Sequence, residues 1–195
     1  MQLRDASLSG IDLSGIDFRN ASLRDVDLAG AKLTGARFGG SLGTRLVLTD
    51  ADLSNASFVK ANMLSVDFAS AVVAGASFGG SYVSATLLAA DRPATATLAG
   101  VSVIADETQP AGDVDLSGLD LRGLRLTGSS LRTTPWKVVL HAAGADLTGS
   151  FFSNVDLTGS DLASTNLTEV SFAHVLCPDG LPADANAFGS TACRL

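Results

Sequence analysis

Residues 3–38 read LRDASLSGIDLSGIDFRNASLRDVDLAGAKLTGARF. Taking every fifth residue gives Leu3, Leu8, Leu13, Phe18, Leu23, Leu28, Leu33 and Phe38. After Gly43 the series resumes at Leu48, Leu53, Phe58, Met63, Phe68, Val73, Phe78, Val83 and Leu88, breaks at Pro93, and closes on Leu98 and Val103. Nineteen of these 21 positions are apolar. Two residues before each lies a small or branched residue, such as Ala6, Ile11, Ile16, Ala21, Val26, Ala31 and Ala36, and polar residues and glycine fill the rest. A period of five fits neither the 3.6 of a helix nor the long two-fold alternation of a flat strand. Two inward residues two apart, followed by a polar turn, describe a short extended piece that bends every five residues. Stacked, such pieces make a solenoid in which each coil buries its face against its neighbours.

Phenylalanine gives the size of the coil. Phe18, Phe38, Phe58 and Phe78 stand twenty apart, and Phe152 and Phe172 repeat the interval. Four five-residue sides closing a square coil would stack these rings into a ladder inside one wall, where aromatic faces pack favourably.

Composition agrees with a distributed core. At 195 residues the chain can bury one, and it is 46% apolar and only 17% charged. Its mean hydropathy is +0.32, yet no apolar run approaches the roughly 18 residues of a membrane span. The net charge of −7 disfavours direct attraction to nucleic acid or anionic membrane. The opening residues MQLRDASLSG lack the charged and apolar regions of a signal peptide.

The segments ADLSNASF (51–58), GADLTGSFF (144–152) and VDLTGSDLASTNL (155–167) resemble the A(D/N)LXX consensus of the pentapeptide-repeat family, over roughly residues 1–177. The resemblance implies an all-β, right-handed quadrilateral β-helix with the central Leu or Phe and the residue two before it pointing inward. About eight coils at about 4.8 Å each give a rod of roughly 40 Å. The expected organisation is a first β-helical part over 1–103, a loop over 104–114, a second part over 115–177 that is irregular at 132–144, and a C-terminal cap over 178–195.

The rule breaks at Gly43, at Pro93, in IADETQPAGDV (104–114) and in RTTPWKVVLHAAGA (132–145). Proline at a core position cannot donate a ladder bond. Such loops are either tolerated insertions or contact surfaces, and Asp106, Glu107, Trp136 and Lys137 are the candidate partner contacts. Trp136 fits the central position of its frame, which reads as a core residue more readily than as an exposed anchor.

Catalytic chemistry finds little material. His141 and His174 are the two histidines. Ser57 and Lys60 have the spacing of a Ser-x-x-Lys pair, but they fill the polar slot before Phe58 and the outward turn slot. His174 and Cys177 fall short of the ligands a zinc site needs. The triplets at 55–57 and 166–168 that match a glycosylation acceptor arise from repeat composition, and no phosphate-binding glycine loop is present. No catalytic, cofactor-binding or metal-binding residues are assigned, and the chain is expected not to be an enzyme.

The slot before the central residue often holds Asp: Asp12, Asp17, Asp27, Asp52, Asp67, Asp115, Asp120, Asp146, Asp156 and Asp161. The family resemblance implies one use for such a surface, since relatives that protect DNA gyrase are thought to imitate duplex DNA. Positions twenty apart are vertical neighbours, however, so Asp12, Lys32 and Asp52 alternate in sign, and Asp17 lies beneath Arg37. Such ladders relieve repulsion and interrupt a negative stripe.

Both cysteines lie in the tail CPDGLPADANAFGSTACRL (177–195). Cys177 occupies the last central slot, and the chain then turns at Pro178-Asp179-Gly180. A disulfide from Cys193 to Cys177 would hold the tail as a lid over the final coil, with Phe188 as its plug; two free thiols are the alternative. The tail also resembles the CPDG…TxC ending of many exported pentapeptide-repeat proteins. A disulfide favours an oxidising compartment and, given a missing leader, an extracytoplasmic location; without one the protein is cytoplasmic. The first coil has no comparable lid, which predicts end-to-end association through it. The leading functional reading is a non-catalytic structural or protein-interaction solenoid with an unidentified protein partner. A DNA mimic that binds a type II topoisomerase, DNA gyrase, is the second.

Overall fold

The computed structural model describes residues 1–89, 97–105, 113–128, 135–183 and 190–193, and they form an all-β solenoid. The chain divides into two units, Met1–Thr97 and Leu98–Leu195. Pro93 and most of the 104–114 loop, with Asp106 and Glu107, lie outside the described residues, as does Phe188.

In the first unit, strands β1 (Gln2–Ser7), β2 (Ser22–Asp27), β3 (Leu42–Val47), β4 (Asn62–Asp67) and β5 (Tyr82–Ser84) stack in that order as a parallel sheet. Leu3 pairs with Leu23 and Met63 with Val83, so the ladder advances twenty residues per coil. The coil has four walls. The first is centred on residues 3, 23, 43, 63 and 83, and the second on 8, 28, 48 and 68. The third runs through the bridges Asp12–Lys32–Asp52–Val72, and the fourth through Asp17–Arg37–Ser57–Ser77.

Each five-residue side must end in a sharp bend, and the backbone pattern shows how. Through the first two coils the residue two after each central position has positive φ: Asp5, Gly10, Gly15, Asn20, Asp25, Gly30, Gly35 and Gly40 in succession. After the second, third and fourth walls the N–H three residues on donates back to the central carbonyl, as from Ile16 to Leu13 at 3.1 Å and from Ala21 to Phe18 at 3.0 Å. A positive φ at the third residue of a four-residue turn is the type II pattern, which favours Gly and Asn.

Inside, the central residues and those two before them are buried from Phe18 to Val83, Gly43 included, and Ala85, Thr86 and Leu87 of the 3₁₀ turn Ala85–Ala89 are buried too. Phe18 and Phe38 lie 5.2 Å apart with rings tilted by 32°. Phe38, Phe58 and Phe78 stack almost flat, at 4.6 and 4.8 Å, and Phe68 meets Phe58 edge-on at 5.7 Å. The side chain missing at Gly43 is supplied from the next coil. A Cβ placed there would lie 2.7 Å from both Met63 Sδ and Val66 Cγ2, and the β3–β4 register is irregular at this point.

In the second unit, β6 (Ser102–Ile104), β8 (Arg125–Thr127), β11 (Phe151–Ser153) and β13 (Ser171–Ala173) build one parallel wall. Val103 pairs with Leu126, Leu126 with Phe152 and Phe152 with Phe172. Only the last step is twenty residues, because the two irregular segments take up the difference. Strands β7 (Asp113–Asp115) and β10 (Val139–His141) pair in a second wall, and β9 (Trp136–Lys137) and β12 (Val155–Asp156) in a third. Four steps in the first unit and three in the second make about seven turns.

The end of the second unit is closed twice. After Pro178-Asp179-Gly180 the chain folds back antiparallel, Leu176 bridging Pro182, so the open edge at Val175–Cys177 is covered. Cys177 N–H donates to Leu181 C=O at 2.8 Å, and Ala183 N–H to Val175 C=O at 2.9 Å. The short helix α1 (Ser190–Cys193) then brings Cys193 to Cys177 in a disulfide, Cα–Cα 5.3 Å, both cysteines buried.

Two outcomes follow from this packing. Phe58→Ala removes a ring stacked on both sides and is expected to destabilise by about 3–5 kcal/mol, read as a lower denaturation midpoint. Cys193→Ser opens the loop of sequence separation 16 and is expected to cost roughly 3 kcal/mol. Wild-type protein should show the same loss after reduction, and native oxidised protein should resist thiol alkylation.

Candidate interaction surface

The aspartates of the slot before the central residue have a structural task. At each corner the N–H of the residue after the central one points out of the ladder and needs an acceptor. All ten supply it: the carboxylates of Asp12, Asp17, Asp27, Asp52, Asp67, Asp115, Asp120, Asp146, Asp156 and Asp161 each accept from the backbone N–H two residues on, at 2.8–3.3 Å. Asn166 does the same for Thr168 at 3.2 Å. These are Asx turns, in which the side chain completes what the backbone cannot.

The caps lie between cations. Arg19 forks onto Asp17 at 2.7 Å, and Lys32 reaches Asp12 at 3.5 Å. Arg122 holds Asp120 at 2.7 Å and stands 4.0 Å from Asp146. Asp25, at a corner rather than in a capping slot, pairs with Arg45 and with Arg24. The Arg19 side-chain bond, with the Arg19 backbone N–H second, holds the Asp17 carboxyl down to about 2. The Thr148 hydroxyl, then its backbone N–H, lowers Asp146.

Trp136 and Lys137 separate in the structure. Trp136 is buried and its Nε1 has no hydrogen-bond partner, whereas Lys137 is exposed. The expected central slot for Trp136 needs correction. Trp136 pairs with Val155, two before the central Leu157, so Val138 takes the central position. The segment from Leu126 to Val138 is longer than its counterpart from Phe152 to Leu157 by a number that is not a multiple of five, and the frame shifts by two. Gly128 allows the backbone of Asn154 and the Cβ of Trp136 to approach, since a Cβ at 128 would lie 2.1 Å from the Asn154 carbonyl oxygen and 2.9 Å from the Trp136 Cβ. Phe152 and Phe172 stack at 5.6 Å. Ser57 lies in the fourth-wall ladder between Arg37 and Ser77, and Lys60 at a positive-φ corner. Among the described residues no group of three His, Cys, Asp or Glu is placed to hold a metal ion, and no helix is long and apolar enough to cross a membrane.

Sequence reading passed over one class of residue, the apolar side chains in outward slots. Leu42, Val59, Leu64 and Tyr82 are exposed in the first unit, and their signal was an apolar residue one place before or after a central position.

A pentapeptide-repeat family model matches this chain in eight copies over residues 2–40, 47–82 and 141–172, more than half of its length. No curated protein matches. Among solved structures, the chain is similar to HetL, a pentapeptide repeat protein involved in heterocyst differentiation regulation from the cyanobacterium Nostoc sp. strain PCC 7120, at 20% identity over 92% of this chain and 88% of that one, TM-score 0.37. It is similar to QnrB1, a plasmid-mediated fluoroquinolone resistance protein, at 16% identity over 95% and 88%, TM-score 0.40. A pentapeptide repeat protein from the Arabidopsis thaliana thylakoid lumen matches at 26% identity over 60% and 69%, TM-score 0.27.

The caps give stability a pH signature. Asp17 and Asp146 are held below the ordinary carboxylate value, so their contribution is full above that value and is lost as pH falls through the folded values. The thermal midpoint should be level above about pH 5 and fall steadily below about pH 4. At position 146, Asn keeps the acceptor and should hold the neutral-pH midpoint, whereas Ala should lower it.

Proposed function

The chain belongs to the pentapeptide-repeat family, and we propose that it is a non-catalytic docking solenoid whose outer walls hold a protein partner. One observation carries this reading: the polar chemistry of the repeats is committed to the fold. The ten slot aspartates cap corners, and the Phe ladder fixes the walls from within. What stays free to vary is the set of outward side chains on a rigid frame, which is the property a docking surface needs. The buried disulfide supports service in an oxidising compartment.

A second reading is a DNA mimic acting on a type II topoisomerase. The net charge of −7 favours it. The interleaved cations weigh against it, because Lys32 separates Asp12 from Asp52 and Arg37 lies between Asp17 and Ser57 in the ladder.

DNA supercoiling by purified gyrase, with and without a quinolone, separates the two. The docking reading expects no change in supercoiling or in drug sensitivity at micromolar chain. Inhibition or protection that follows the chain concentration would replace it with the topoisomerase reading.

A further inference from the structure

The first wall of the first unit breaks the rule that governs the others. Its chain stays in strand through the corner, as the six-residue strands β1 to β4 show. Its outward slots therefore carry little capping duty. They hold Gln2, Ser22, Leu42, Asn62 and Tyr82, and none is Asp. Leu42 and Tyr82 flank Asn62 in one ladder column, about 10 Å apart at the usual strand spacing. Leu64 leaves the same strand on the next outward slot, and Val59 sits just across the corner at Lys60. Their exposures are 44% for Leu42, 51% for Tyr82, 36% for Leu64 and 38% for Val59. Four of the seven exposed large apolar residues among those described thus fall in one patch. Soluble chains rarely gather exposed apolar side chains in this way unless the patch is used.

The charge around the patch selects what it would take. Lys60 occupies the corner between Val59 and Asn62, and Arg4 lies on the same wall. Both are outside the ion pairs found among the described residues. Arg37 stands on the adjoining fourth wall. Along the wall Arg4, Arg24, Arg45 and Lys60 stand against Asp5 and Asp25, so a chain with a net charge of −7 carries a locally positive surface here, with Lys60 beside the patch and Arg4 two coils below Thr44.

We propose that this wall is the docking face, and that it takes a partner-protein segment carrying apolar anchors among acidic residues. The inference rests on the docking reading above and names the partner chemistry for it. Leu42, Leu64 and Tyr82 give the apolar centre, with a large aromatic of the kind that anchors interfaces. Lys60 beside that centre and Arg4 further along the wall steer an acidic segment and reject a basic one.

The test pans a random peptide library, displayed on phage, against the immobilised full-length oxidised chain. Enriched peptides should combine Asp or Glu with Leu, Phe or Trp. The best, made synthetically, should lose affinity by about tenfold or more on L64S/Y82S and on R4E/K60E, and should weaken with added salt. L181S, an exposed apolar site in the other unit, should bind like wild type. All four side chains altered on the wall are exposed, so an unchanged thermal midpoint confirms that each variant is folded. Acidic-apolar peptides that bind every variant equally would overturn this wall and leave the docking reading standing. No enriched peptide at all would overturn both. Binding of vesicles made of phosphatidylcholine and phosphatidylglycerol, abolished by R4E/K60E, would assign the patch to a lipid surface instead. A dimer in sedimentation that Y82S dissolves would assign it to a second copy of the chain.

Discussion

The fold depends on a bend repeated every five residues. A chain that turns so often must place one residue per side at positive φ and must find an acceptor for an N–H that the ladder cannot reach. The first demand selects Gly, Asn and Asp at corners, and Gly10, Gly15 and Asn20 meet it in sequence. The second selects Asp or Asn just before the central residue, as Asp146 and Asn166 show one above the other. The low charge content and the acidic balance of the chain thus have one origin. Asp outnumbers Lys and Arg in the repeats because it fits a turn, before any question of what the surface binds arises.

That origin changes how the acidity should be read. A carboxylate that accepts a backbone N–H remains charged and still contributes to the field around the protein. Its position, however, is dictated by the coil, so a run of such groups is no sign of selection for a basic partner. The informative charges are those the fold does not require. Lys60 stands at a corner that glycine would fill without strain, and Arg4 occupies an outward slot. Neither caps a turn.

Much of the architecture was legible because the inward pattern is both strict and doubly periodic. The five-residue series from Leu3 and the twenty-residue Phe series describe different features, the side and the coil, and both appear in the register of Phe38, Phe58 and Phe78. Cys177 could be placed because it continued an unbroken frame from Leu147. Trp136 could not, because the frame before it was broken by an insertion whose length the sequence does not reveal, and counting in fives then misassigned the slot by two. Gly43 failed differently. The gap at its position was visible, but the side chains that fill it, Met63 and Val66, come from the coil above, and a one-dimensional pattern carries no information about lateral filling.

Exposed residues were the hardest to read for a physical reason. Inward slots are constrained by volume, and corner and capping slots by backbone geometry, so each tolerates few residue types. Outward slots on a strand wall face water and tolerate nearly all. An apolar side chain there costs little for one residue and is unremarkable in isolation. Only the ladder reveals that Leu42 and Tyr82 share a column and that Leu64 and Val59 border it. The repeat that makes the fold obvious spreads neighbours twenty residues apart in the chain, so a surface patch on such a wall is scattered through the sequence. For a solenoid of this kind, function is best sought by first removing every residue the coil demands and then stacking what remains by twenties.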